Sequence, residues 1–280
     1  MTGASPEPSG PAGSAQSAGS ARPAGSAQPA GSGPASAPIA GPGFSVVEYT
    51  DPACPWAWGS EPKFARLREL LGPAAAWRRV FGILFDETDD LPPDEAAAAA
   101  EAAWYHEELA EIATHTHAPY PETLAWVSAS SWPASLACKA AQAQGPQVAE
   151  AVLARLRETT FVDGRPADTP ERVLAALGGL PGLDLPALAE AAAGPEVLAA
   201  VRRDWAETRD PCREVLELRE PGRHPGRAKP LGEDPSDGFR YALPTLVFQG
   251  PGGRAVVPGW RPLEEYLAAA AHVAAAPAEG

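Results

Sequence analysis

The sequence predicts a single α/β domain in which a strand–helix–strand half and a hairpin–helix half are separated by a large helical block. Three observations carry this. Phe44-Ser-Val-Val-Glu-Tyr49 is a β-branched and aromatic run that ends in Thr-Asp-Pro, and Phe64, Leu67, Leu70 and Leu71 follow at helical spacing. From about residue 94 to 220, helix start and stop signals recur without a strand period. Near the C-terminus, two apolar runs flank Gln249-Gly-Pro-Gly-Gly253, a hairpin signal.

Residues 1–43 are mostly Gly, Ala, Ser, Pro and Gln, with PAGSAQ at Pro11 and again at Pro23. So little apolar surface cannot offset ordering entropy, so a flexible tail is expected there, with the domain over 44–275. The first strand gives way to Cys54-Pro55 and a helix that closes at Gly72-Pro73; Pro62 kinks or restarts it, with Ser60 as cap. Trp77 to Phe85 is again strand-like, which makes a right-handed parallel crossover with the first strand. The inserted block, about 87–240, opens with a helix over Glu95 to Thr114. Ser131 caps a second helix that stops at Gly145-Pro146, and Val148, Val152, Leu153 and Leu156 continue a third. Thr169-Pro170-Glu171 is a strong helix start, Asp184 caps another, and Pro195 to Leu218 is helical with an interruption at Pro211. Glu220 to Arg240 reads as a long loop. Tyr241 to Phe248 and Arg254 to Val257 form the hairpin, and the last helix starts at Arg261-Pro-Leu-Glu.

The 280 residues are 45% hydrophobic, enough for a sizeable core, and the formal charge is -14. That balance argues against nucleic acid and anionic membranes as partners, since both attract Lys and Arg. The N-terminus shows no secretory signal pattern, no 18-residue apolar run is present, and three widely spaced cysteines describe no disulfide framework. The expectation is a cytoplasmic protein whose thiols act singly. The Ala, Gly, Pro and Arg bias, with three lysines, suits a GC-rich bacterial genome.

Of the thiols, Cys54 holds the chemically interesting place. It follows a strand, and Pro55 stands at the first helical position. Free backbone N–H groups and the positive end of the helix dipole converge there, so the thiol is expected to ionise below the ordinary value of about 8.5. Cys138 lies on an apolar helical face and reads as packing, while Cys212 borders the long loop. Pro244 is odd at the head of a central strand because it cannot donate to the ladder; a cis Leu243–Pro244 bond explains it.

Asp51-Pro52-Ala53-Cys54-Pro55-Trp56-Ala57-Trp58 resembles the active-site segment of the DsbA-like thioredoxin-fold family, especially its cytosolic FrnE-like branch. Leu243-Pro244-Thr245 resembles the family's cis-proline loop, and Val257-Pro258-Gly259-Trp260 suits the turn before its last helix. The resemblance implies a thioredoxin fold with a helical insertion, with Cys54 catalytic and Pro55, Trp56, Leu243 and Pro244 contacting substrate. It implies that Pro244 lies against the Cys54 sulfur and that the Leu243 backbone is free to pair with an extended substrate. No tightly bound cofactor or metal is implied; the partner is a protein or small-molecule thiol or disulfide, with glutathione or mycothiol as the low-molecular-weight thiol.

The chain departs from the family at Ala57, where dithiol members carry the resolving cysteine. The expected activity is therefore monothiol: Cys54 forms a mixed disulfide that a second thiol molecule resolves. Two alternatives share the scaffold. Kappa-class glutathione transferases and hydroxychromene-carboxylate isomerases are similar in fold, and use the helix start to activate a cofactor thiol, but usually have Ser at the position of Cys54. A non-catalytic binding module is the other. Arg219, Arg223, His224, Arg227 and Lys229 put cations in the long loop, which suits either thiol-cofactor carboxylates or plain solvation, and Glu233, Asp234 and Asp237 follow closely.

Overall fold

The computed structural model describes residues 40, 41, 43–86, 92–221, 224 and 226–275. The tail expected over 1–43 lies almost wholly outside the described residues. Its inner boundary moves, because Ala40 is buried in the core and its N–H donates to the Leu71 carbonyl at 3.4 Å.

Four strands form the sheet: β1 (Ser45–Thr50), β2 (Ala76–Phe81), β5 (Thr245–Gly250) and β6 (Gly253–Pro258). Their order is β2-β1-β5-β6, with β1 parallel to β2, β5 antiparallel to β1, and β6 antiparallel to β5. This is the mixed sheet of a thioredoxin fold, so the βαβ and ββα halves meet as expected. Strand alternation sends Val46 and Glu48 to one face and Val47 and Tyr49 to the other. On the first face, Val46, Leu246 and Phe248 pack with Phe64, Leu67 and Leu71 of α2 (Glu61–Leu71) and Tyr266, Ala270 and Val273 of α10 (Leu263–Ala274). Each fully buried Phe or Leu contributes about 1.5–3 kcal/mol of transfer free energy.

The inserted block holds α3 (Glu95–Thr116), α4 (Trp132–Ala141), α5 (Pro146–Phe161), α6 (Pro170–Leu177), α7 (Leu185–Ala193), α8 (Pro195–Thr208) and α9 (Arg213–Leu216). The starts read from the sequence have a physical basis: the side chains of Asp94, Thr169 and Asp184 accept the N–H of Ala97, Arg172 and Ala187. Two expectations change. β2 stops at Phe81 rather than Phe85, because the chain after it turns to let the Leu84 N–H reach the Asp51 carboxylate at 2.8 Å. The long loop also contains a small antiparallel ribbon, β3 (Lys229–Pro230) with β4 (Phe239–Arg240).

A buried ionic network joins the block to the sheet. Glu48 accepts hydrogen bonds from Trp77 Nε1 at 2.8 Å and Arg79 Nε at 3.0 Å, and both terminal nitrogens of Arg79 bond to Glu150 on α5. Fully buried Arg157, also on α5, donates to Thr50 Oγ1 at 2.8 Å and pairs with Glu61. Burial alone would push the Glu48 carboxyl up, but Arg79, Arg68 and Arg157 outweigh it and hold it below the usual carboxylate range. Removing one partner of such a pair leaves a buried charge uncompensated. Arg79→Met is therefore expected to lower the unfolding free energy by about 3–5 kcal/mol in urea denaturation. Adding Glu48→Gln should recover part of that loss, and strict additivity of the two changes would refute the coupling.

Candidate active site

The site is built where the two halves of the fold touch. Cys54 is the N-cap of α1 (Pro55–Trp58), in an extended conformation with Pro55 as the first helical residue. Of the kink or restart expected at Pro62, the structure shows the restart: α1 and α2 are two helices, with Ser60 at the N-cap position of α2. α1 ends at Gly59, and Ser60 spends its hydroxyl on the Trp56 carbonyl at 2.8 Å before α2 restarts with Pro62 in its first turn. Gly59 is required at the break: a Cβ there would lie 2.4 Å from Cβ of Thr116 at the end of α3.

Opposite Cys54 lies the start of β5. The Leu243–Pro244 peptide is cis. The Pro244 carbonyl accepts the Gly259 N–H at 2.8 Å, and the Leu243 side chain lies over Gly82, where a Cβ would come within 2.7 Å of Leu243 Cδ1. The Leu243 carbonyl accepts twice, from the Cys54 thiol at 3.4 Å and from Nε2–H of His224 at 3.0 Å. A carbonyl only accepts, which assigns the His224 proton to Nε2. Its occupation corrects the expectation of a Leu243 backbone standing free for substrate.

His224 also forms a cover. Its ring stacks on Trp56 with centroids 4.5 Å apart, and His115 of α3 stacks more loosely at 6.1 Å. Burial pushes the His224 pKa down to about 4, with Lys229, Arg240 and Arg261 adding to the fall, so the ring is neutral at pH 7. The segment holding it is seated by Gly226, whose φ is +84°; a Cβ there would lie 2.4 Å from the Gly259 nitrogen.

Below the thiol, Asp51 is wholly buried and accepts from the Ala53 N–H (2.7 Å), the Leu84 N–H (2.8 Å) and Ser131 Oγ (3.0 Å). It thereby ties the end of β1, the turn after β2 and the start of α4 into one frame. Ser131 begins α4 as expected, but its hydroxyl serves Asp51 instead of capping the helix.

Under this cover Cys54 is 3% exposed. Burial pushes its thiol up to about 11, against the pull of the Ala57 and Trp56 N–H groups, and the nearby Asp51 adds to the rise. The expected fall in pKa is therefore reversed. The physical reason is twofold: α1 is a single turn with little dipole, and desolvation penalises the thiolate more than two N–H groups stabilise it.

Of the residues singled out from the sequence, Cys54, Trp56, Leu243 and Pro244 come together. Pro55 instead turns into a groove with Trp58, Leu109 and Phe161. Cys138 is buried in the helical core, Cys212 starts α9 with its N–H on the Tyr241 hydroxyl, and all three cysteines are free. Asp51, Ser131, His224 and Arg240 are site residues that the sequence reading did not assign. Asp51 stood inside the quoted motif and His224 inside the cation cluster, but neither carries a local signal for its contacts. Arg223 of that cluster lies outside the described residues. Among the described residues no group of His, Cys, Asp and Glu could hold a metal ion.

Two measurements follow. Below a pKa of about 11, the thiolate fraction rises tenfold per pH unit, so alkylation of Cys54 should accelerate from pH 7 to 10 without a plateau. A plateau near pH 6 to 8 would show that the helix start wins. His224→Ala removes the cover, and Cys54 alkylation at pH 8 should then speed up by roughly tenfold as water reaches the sulfur.

The comparisons with known proteins agree with this architecture. The family described as Thioredoxin matches residues 48–210. The ClpXP adapter protein SpxH of Shouchella clausii is 25% identical over 177 residues, 63% of this chain, and the match spans only 55% of that protein. A putative protein disulfide isomerase from Nitrosomonas europaea superposes with a TM-score of 0.55 at 13% identity, covering 79% of this chain and 92% of the other. The cytosolic disulfide reductase DsbM of Pseudomonas aeruginosa gives 0.51 at 18%, covering 80% and 91%, and a probable DsbA oxidoreductase from Streptomyces coelicolor gives 0.51 at 18%, covering 82% and 89%. At those identities the structures speak for the fold, a thioredoxin core with a DsbA-like helical insertion. With more than half its length matched by the family, this chain belongs to the thioredoxin family.

Proposed function

We propose that the protein is a monothiol thiol–disulfide exchange enzyme acting through Cys54. The observation that carries the reading is the hydrogen bond from the Cys54 thiol to the Leu243 carbonyl at the cis-proline turn. It puts a lone sulfur against the backbone that begins β5, with Ala57 one turn further along α1. Pro244, Leu243 and Trp56 form the contact surface for the incoming disulfide, and Pro55 shapes the helix start.

The resting thiol is held protonated under Trp56 and His224. An incoming disulfide displaces that stack and hydrates the sulfur, and the proton leaves to solvent. The Cys54 thiolate, now facing the N–H groups of Trp56 and Ala57, attacks one sulfur of R–S–S–R. A Cys54–S–S–R bond forms, the original S–S bond breaks, and R–S⁻ departs and takes up a proton. A second thiolate then attacks the R sulfur, releasing a new disulfide and returning Cys54 as thiolate. Each cycle exchanges R–S–S–R and one entering thiol R′–SH for R–SH and R–S–S–R′; full reduction of the original disulfide takes a second cycle and a second entering thiol. Ala57 is fully buried and carries no sulfur, so the resolving thiol comes from solution, with glutathione or mycothiol as the physiological candidates. Among the described residues no helix is long and apolar enough to cross a membrane, and we assign the reaction to the cytoplasm, where reduced thiols are abundant.

The test is an insulin-reduction assay with and without added low-molecular-weight thiol, paired with intact-mass analysis after exposure to a small disulfide. Activity is expected only with added thiol, with one adduct on Cys54, and both should fall at least about 100-fold in Cys54→Ser. An adduct confined to Cys212, or no adduct, would overturn the reading. Pre-reduced Ala57→Cys should reduce about one equivalent of insulin disulfide without added thiol, ending as an internal disulfide between Cys54 and the introduced cysteine.

A further inference from the structure

The ribbon beside the thiol contains an arrangement that folding alone does not favour. β3 and β4 contribute two residues each, and their register sets Lys229 directly opposite Arg240. Like charges facing each other across an antiparallel pair destabilise it, and a ribbon this short has little else to hold it. Both side chains are half-buried. Among the described residues neither forms an ion pair, although the protein has an excess of acids, with 36 Asp and Glu against 22 Lys and Arg.

The nearby acids are turned to other uses. Asp234 Oδ1 accepts the Ser236 N–H at 2.8 Å, and Asp237 Oδ2 accepts the Asp234 N–H at 3.3 Å, so both serve the turn between the two strands. The outer cations of the loop are spent locally: Arg219 donates to the Leu216 and Leu218 carbonyls, and Arg227 donates to Leu218. Lys229 and Arg240 are different. Arg240 also donates to a local carbonyl, that of Tyr241 at 3.0 Å, but unlike the outer cations both Lys229 and Arg240 act on His224, which sits on the Leu243 carbonyl beside Cys54. Burial lowers the Arg240 pKa, and Cys54, once it is ionised, and Asp51 oppose that fall. Burial, Arg240 and Arg227 each press the Lys229 ammonium toward losing its proton.

We infer that Lys229 and Arg240 form an anion-accepting subsite adjoining Cys54, and that the exchange partner is a carboxylate-bearing thiol or disulfide. This rests on the proposed exchange reaction and narrows its substrate class. A bound carboxylate would neutralise the facing cations, with Arg240 offering a planar guanidinium fork and Lys229 a point charge. The subsite selects glutathione, which carries two carboxylates, over mycothiol, whose glycosylated thiol carries none.

Two disulfides of matched length separate charge from size: dithiodipropionate, a dianion, and neutral hydroxyethyl disulfide. The rate at which each disulfide forms an adduct on Cys54 is normalised to the rate at which the same disulfide reacts with N-acetylcysteinamide, a neutral model thiol. The anion is expected to react roughly tenfold faster than the neutral compound, with the advantage fading as salt is raised. Lys229→Gln and Arg240→Gln should each pull that ratio toward one, while Arg219→Gln leaves it in place. A ratio already near one, or variants in which both rates fall together, would overturn the subsite while leaving the exchange reaction standing. A second arm does not depend on sulfur chemistry: calorimetric binding of S-methylglutathione to the Cys54→Ser protein. Binding that weakens with Lys229→Gln supports the subsite even if Cys54 proves unreactive; no detectable binding counts against it.

Discussion

The Leu243 carbonyl is the point on which the rest of the site depends. It has two accepting positions, and both are filled, by the thiol of Cys54 and by Nε2–H of His224. Those donors come from the first helix turn of one half of the fold and from the loop that precedes the other half. One backbone oxygen therefore holds the Cys54 thiol, the His224 ring and the start of β5 in register. In the proposed reaction an extended substrate uses the same oxygen, which makes its entry and the release of His224 a single competition.

That competition also governs the charge on Cys54. A helix start stabilises a thiolate by presenting N–H groups, but α1 is only four residues long and its sulfur is nearly sealed from water. Desolvation then outweighs the local hydrogen bonds, and the resting sulfur keeps its proton. A sealed thiol resists adventitious oxidation, because oxidation follows thiolate character and exposure. Access and ionisation are linked: whatever lifts the Trp56–His224 stack hydrates the sulfur and lowers the cost of its negative charge.

The frame under the site uses charge differently. Asp51, Glu48, Arg79 and Arg157 are buried polar groups whose bonds cross between elements rather than run along them. Asp51 joins β1 to the turn after β2 and to α4, and Arg157 reaches from α5 to the end of β1. An insertion of several helices could otherwise pack on the sheet in more than one way, since its apolar faces are rich in Ala and nondirectional. Hydrogen-bonded ions are directional, and they place α4 and α5 where Cys54 requires them.

Local pattern was enough for most of the fold. The alternation of Val46, Glu48 and Thr50 and the spacing of Phe64, Leu67 and Leu71 repeat within a few residues, and the caps at Asp94, Thr169 and Asp184 act on N–H groups within the next turn. The motif around Cys54 and the proline at position 244 likewise located the two sides of the site. The β3–β4 ribbon has no sequence signature because two-residue strands have no period, and the need for glycine at Gly59 has none because the atom it must avoid belongs to Thr116, on another helix. So the sequence by itself determined the βαβ–insertion–ββα order, the position of the thiol and the absence of a partner cysteine at Ala57. Only the tertiary structure decided that this thiol is covered and protonated, and that Lys229 faces Arg240 beside it. Secondary structure follows from neighbours along the chain, whereas solvation and unbalanced charge depend on residues that folding brings from far away.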